Sequence, residues 1–182
     1  MKQVKATGIV RRIDDLGRVV IPKEIRRTMR IREGDPLEIY TSRDGEVIFK
    51  KYSLLGGVEA FAAQLCETLS KSSGLICAIS DRDTIIAAAG SGRRELMGKQ
   101  ISAELERIMN GRKIYQHTGG APAVPVTDGA ELSTVIAAPI LSEGDLLGLV
   151  LFISPTPETA SGEAEFKLAQ ASALFLGRHM ES

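Results

Sequence analysis

Apolar and polar positions alternate in two rhythms along this chain, and the change of rhythm divides it. Residues 8–13 (GIVRRI) alternate loosely and residues 18–21 (RVVI) resume as a short β-branched run, which predicts short strands either side of a turn at Asp14-Asp15-Leu16-Gly17, with Gly17 free to take positive φ. Pro22 suits the first turn of a helix reaching about Arg30, because its missing N–H is not needed there. On that helix Ile25 and Met29 lie one turn apart and should face inward with Ile21, leaving Lys23, Arg26, Arg27 and Arg30 on the other side. Residues 37–42 and 46–50 read as paired strands about a tight turn at Arg43-Asp44-Gly45.

After Ser53-Leu54-Leu55-Gly56-Gly57 the rhythm becomes helical. Leu54, Val58, Phe61, Leu65 and Leu69 form one stripe, widened by Leu55, Ala62 and Cys66, which predicts a helix to about Lys71. A hairpin over 75–80 and 84–89 follows, then a helix over 103–109 ending at Asn110-Gly111. Residues 124–126, flanked and interrupted by Pro122 and Pro125, fit an edge strand. Residues 133–141 and 146–154 form the strongest strand pair, turning at Ser142-Glu143-Gly144-Asp145, and a last helix spans 158–179. In that helix Leu168, Ala169, Ala171, Ala173, Leu174, Phe175 and Leu176 cover more than one face, so it has more than one packing partner: the sheet, and either another helix of the same domain or the helices of a second chain.

The expected organisation is therefore α+β with two domains, 1–52 and 53–182. About four short strands and one short helix in so few residues bury little apolar surface, so the first domain should be an obligate dimer whose strands complete a shared barrel.

Charge sharpens the division. The whole chain is neutral, with 23 Lys and Arg against 23 Asp and Glu. Residues 1–52 carry 13 basic against 8 acidic side chains, net +5, and residues 53–182 carry 10 against 15, net −5. A duplex would attract the first part and repel the second. Arg11, Arg12, Arg18, Arg26 and Arg27 are dense enough to need an anionic partner, and nucleic-acid phosphate is the first candidate. Arg30 and Arg32 could equally pair with Glu33, Asp35 or Glu38, and Asp14 and Asp15 could orient Arg11 or Arg18 rather than touch DNA. Base edges and groove shape are both open as modes of readout.

Other chemistry is sparse. Mean hydropathy is +0.02, residues 1–8 resemble no signal peptide, and no apolar run reaches the roughly 18 residues of a membrane span. Cys66 and Cys77 are the only cysteines and read as core, consistent with a reducing, cytoplasmic setting. His117 and His179 have no metal spacing, and Arg93 and Arg94 sit in a segment better read as a solvated helix start than as an anion site. TGGAP (118–122) lacks the strand and lysine of a phosphate loop. No catalytic set, metal site or cofactor motif emerges, and an enzyme is not expected.

The segment TGIVRRIDDLGRVVIPKEIRRTMRI, with EGDPLEIY and VIFKKY after it, resembles the AbrB family of bacterial transition-state regulators over residues 5–52. The resemblance implies a swapped-hairpin β-barrel made by two chains, with double-stranded DNA contacted by Arg11, Arg18, Arg26 and Arg27, and Arg12 as a fifth contact. The order of elements after residue 53, and the hairpin APIL…GDLLGLVLFIS in particular, is similar to GAF-type sensor domains, an antiparallel sheet with flanking helices that admits a small-molecule effector. The two modules in this order resemble regulators of late sporulation. That implies a cytoplasmic, nucleoid-associated transcription activator and repressor acting in the forespore, dimeric through the barrel and tetrameric through its C-terminal helices. The alternative is an antitoxin-like interaction protein, since short AbrB-type barrels also serve in toxin–antitoxin pairs.

Overall fold

The computed structural model describes residues 6–180. The chain divides into two compact units, Met1–Lys51 and Tyr52–Ser182.

In the first unit, helix α1 (Lys23–Thr28) and the antiparallel hairpin β1 (Leu37–Thr41) and β2 (Val47–Lys51) are the only regular elements among the described residues. The strands LEIYT and VIFKK pair Leu37 with Lys51 through Thr41 with Val47, and Gly45 takes φ +82° in the connecting turn, as the Arg-Asp-Gly signal predicts. Pro22 stands just before α1, as its N-cap, with φ −58° and ψ 149°, and its carbonyl accepts from the Arg26 amide at 2.9 Å.

Residues 8–13 and 18–21 depart from the sequence expectation: they form no strand. A strand needs ladder partners, and among the described residues these segments have none beyond the turn that joins them. No described residue from 6 to 51 is buried. Val10 is 89% exposed and Val20 70%, and Ile13, Leu16, Val19, Ile39, Val47 and Phe49 are exposed with them. Ile21 and Ile25 are half-buried, but Met29, expected to face inward, is 56% exposed. So much uncovered apolar surface cannot stabilise a unit of this size on its own.

The second unit has an ordinary core. Its sheet runs β4 (Ile85–Ala89), β3 (Ile76–Ser80), β8 (Asp145–Ser154), β7 (Ser133–Ser142), β5 (Tyr115–Gln116), with β6 (Val124–Pro125) also on β7; every pairing is antiparallel. Helices α2 (Glu59–Ser73) and α5 (Glu163–His179) cover one face, over Leu69, Cys77, Ile79, Ile136, Ala138, Val150, Phe152 and Leu176. Helices α3 (Arg93–Leu96) and α4 (Ala103–Asn110) close the other, over Ile76, Ala78, Leu105, Met109, Leu149, Leu151 and Ile153. With both faces covered, β8 reads as a nearly unbroken apolar run in which alternate residues serve opposite layers.

Helix boundaries differ from expectation for identifiable reasons. α2 begins at Glu59 rather than near 54 because Gly56-Gly57 intervene, Gly57 at φ +92°; Leu55 still reaches the core from the turn. α5 begins at Glu163 rather than 158: the Gly162 amide donates to the Glu165 carboxylate at 2.9 Å, and the preceding loop is tied by a 2.8 Å contact between Ser154 Oγ and Thr159 Oγ1. At the sharp β7–β8 turn Glu143 and Gly144 take φ +47° and +89°, as a two-residue turn of this twist requires. No helix of the described residues is long and apolar enough to cross a membrane.

Candidate nucleic-acid interface

The turn at residues 14–17 is braced by its own side chain. The Asp14 amide donates to the Arg18 carbonyl and the Gly17 amide to the Asp14 carbonyl, both at 3.0 Å, with Gly17 at φ +77°. Asp14 Oδ1 accepts from the amides of Leu16 (3.1 Å) and Arg18 (2.7 Å), and Oδ2 accepts from Arg18 Nε at 2.8 Å. The Arg18 amide foremost, and then its guanidinium, hold the Asp14 carboxyl below its ordinary value. Of the two partners the sequence left open for Asp14, the geometry selects Arg18.

Arg26 and Arg27 occupy the last turn of α1, where the negative end of the helix dipole favours cations. The helix ends in a Schellman motif: the Ile31 amide donates to the Arg26 carbonyl (2.8 Å) and the Arg30 amide to that of Arg27 (3.3 Å). Arg30 holds the left-handed position at φ +51°, where glycine is usual. This capping role was not foreseen, because an arginine carries no sequence signal for it. Lys51 Nζ then donates to the Arg30 carbonyl at 2.8 Å and lies 3.7 Å from Asp35, whose carboxylate also accepts from the Arg32 amide at 2.8 Å. Asp35 is thus engaged by β2 and by its own loop.

All five arginines singled out by sequence are exposed: Arg11 and Arg12 on the extended segment before the turn, Arg18 directly after it, Arg26 and Arg27 on α1. Among the described residues Arg18 pairs with Asp14, while Arg11, Arg12, Arg26 and Arg27 make no side-chain ion pair or hydrogen bond. Four uncompensated guanidinium groups and one clamped one, on a unit of about fifty residues, form a field that attracts polyanions.

The second unit offers little rival chemistry. His117 is buried, its Nδ1 3.4 Å from the Tyr115 hydroxyl, and its carbonyl accepts from the Ser161 amide at 3.0 Å, which ties β5 to the loop before α5. His179 lies on the outer side of α5, stacked on Phe61 at 5.1 Å between ring centres. Burial pushes the Cys66 and Cys77 thiols up to about 12, so both pack as small apolar groups. Arg93 and Arg94 are exposed on a four-residue helix. Among the described residues no group of three or more His, Cys, Asp or Glu could hold a metal ion.

Residues 10–53 match a family model described as "Antidote-toxin recognition MazE, bacterial antitoxin". The first unit is also similar to the transition state regulatory protein AbrB of Bacillus subtilis (strain 168), 61% identical over 49 residues, which is 27% of this chain and 50% of that protein. The second unit has the fold of GAF domains. It superposes on the cyanobacteriochrome receptor PixJ with a TM-score of 0.55 at 15% identity, covering 71% of this chain and 98% of that one. Residues 57–181 match the model "Stage V sporulation protein T C-terminal, transcription factor". Stage V sporulation protein T of B. subtilis (strain 168) is 47% identical over 180 residues, 98% of this chain and 99% of that protein. With both units matched in order and nearly end to end, the chain belongs to the stage V sporulation protein T family.

Proposed function

We propose that this protein is a DNA-binding transcription regulator of sporulation, in which domain 1–52 grips the duplex and domain 53–182 assembles and regulates it. One observation carries the reading: Arg11, Arg12, Arg26 and Arg27 stand exposed without side-chain partners among the described residues, on a unit whose apolar side chains are uncovered too. A second chain covers the apolar side by closing a swapped-hairpin barrel, and double-stranded DNA neutralises the basic side. The five arginines are the contacts, ten in a dimer. Each phosphate neutralised steepens the log–log salt dependence by about 0.9. Genome-wide mapping of bound sites in sporulating cells tests the reading; a flat map, with no site enriched over input, would refute it. Localisation to the forespore nucleoid, and activation as well as repression, belong to the same reading.

The match of residues 10–53 to an antitoxin model supports a second reading, an interaction protein that neutralises a toxin. A toxin co-purifying at fixed stoichiometry would favour it. The transcription-factor match over 57–181 is the reason to rank it second.

The outer face of α2 and α5 supports tetramer formation through the second domain. There Leu174 is 63% and Phe175 54% exposed, with Phe175 5.8 Å from Phe61 and 6.3 Å from His179 between ring centres. Such a patch on an otherwise packed domain fits a helix–helix contact with another copy. Phe175→Glu should convert the tetramer to a dimer in sedimentation velocity while the far-UV circular dichroism spectrum stays unchanged; an unchanged tetramer would remove this face from the assembly. A small-molecule effector would act by shifting the same assembly.

A further inference from the structure

We infer that Asp14 is a positioning residue for DNA recognition, holding the Arg18 guanidinium in its binding orientation. This inference rests on the DNA-binding reading. An acidic side chain beside a phosphate-binding surface should by Coulomb's law only weaken binding. The geometry gives it a different task. One carboxylate oxygen takes the amides of Leu16 and Arg18 and so shapes the turn; the other takes Arg18 Nε. With Nε engaged, the guanidinium is held by one edge. Its Nη1/Nη2 edge remains for the forked contact that arginine makes with a phosphate or with guanine O6 and N7. The Arg18 side chain is 68% exposed and would otherwise range over many rotamers. Fixing it beforehand lowers the ordering cost of binding a specific site. Loose, sequence-independent attraction needs no such fixing, so Asp14 strengthens binding of the specific site and does not strengthen the non-specific kind.

Asp14→Asn separates them. The amide oxygen can still accept from Leu16 and Arg18 and keep the turn, but the other position becomes an NH2 group facing another donor, which releases the guanidinium. The experiment uses the full-length chain, a short duplex enriched by the unaltered protein from a random library, and poly(dI-dC) as the non-specific polymer. Asp14→Asn should bind the enriched duplex about five- to tenfold more weakly, and poly(dI-dC) equally or more tightly. In an Arg18→Ala background it should produce no further weakening. If Asp14→Asn lowers the thermal midpoint, Arg18→Lys serves instead. It keeps the charge and leaves the carboxylate's backbone bonds intact, and it should show the same selective loss. Equal or tighter binding of the enriched duplex by Asp14→Asn, or the same weakening without Arg18, would overturn the inference and mark the pair as a brake or a bystander. If the library yields no enriched duplex, the DNA-binding reading fails and the inference with it.

Discussion

Replacing both Arg26 and Arg27 with alanine is expected to weaken duplex binding by about 10³- to 10⁴-fold while leaving the assembly folded. A dimer loses four guanidinium contacts, and at about 1 to 1.5 kcal/mol each the loss is about 4–6 kcal/mol. The salt slope should flatten by about 3.6, four phosphates at about 0.9 each. The fold should tolerate the change: both side chains are exposed and make no side-chain hydrogen bond or ion pair among the described residues. Alanine is also the strongest helix former, which offsets the few tenths of a kcal/mol lost at the dipole's negative end. Fluorescence anisotropy across a salt series, with circular dichroism as control, provides the check. Unchanged affinity at moderate salt would take the pair out of the interface.

The second large effect concerns stability and has a sign opposite to helix propensity. Gly177 lies inside α5, where glycine costs about 1 kcal/mol relative to alanine, so Gly177→Ala looks stabilising on the sequence alone. Yet a Cβ built there falls 2.0 Å from the Leu141 carbonyl oxygen and 3.1 Å from its carbon, both backbone atoms of β7. The helix can sit so close to the strand only because the side chain is missing, and a methyl group would force the two elements apart. We expect Gly177→Ala to destabilise the second unit by about 3 kcal/mol or more. Gly148 is a parallel case within the sheet: its Cβ would fall 1.9 Å from the Ser80 carbonyl oxygen, beside the irregularity in β3 at Ile79/Ser80. Denaturant titration of full-length variants, reading the transition of the second unit, measures both. A Gly177→Ala protein as stable as the parent would show that the α5–β7 approach is not so tight.

These two glycines mark where sequence reading stops. Periodicity identifies which face of α5 is apolar, but interaxial distance depends on what lies opposite, and Leu141 is far away in the chain. The β1–β2 and β7–β8 hairpins were legible because short apolar runs flank recognisable turn residues within a few positions of each other. Tyr115-Gln116 was missed because two residues carry no period. Over residues 8–13 and 18–21 the apolar pattern predicts strands but cannot say which chain supplies the ladder, and among the described residues none forms. The outward side of α5 was partly legible. Its apolar residues exceed what one face can hold, and the structure sorts them, Ala173 and Leu176 inward, Leu174 and Phe175 outward. At the interface, the arginines were legible as a density of charge. The clamp on Arg18 was legible only as one of several pairings, because an aspartate four residues before an arginine means nothing until the turn between them closes.

The central claim is that the first fifty-odd residues fold only as two intertwined chains and in that form bind DNA. Equilibrium unfolding of a 1–53 fragment at several protein concentrations, with and without duplex, tests it most directly. A midpoint that rises with protein concentration, and rises again with duplex at low salt, is the expected result. A concentration-independent midpoint from a stable monomer, unmoved by duplex, would contradict the account.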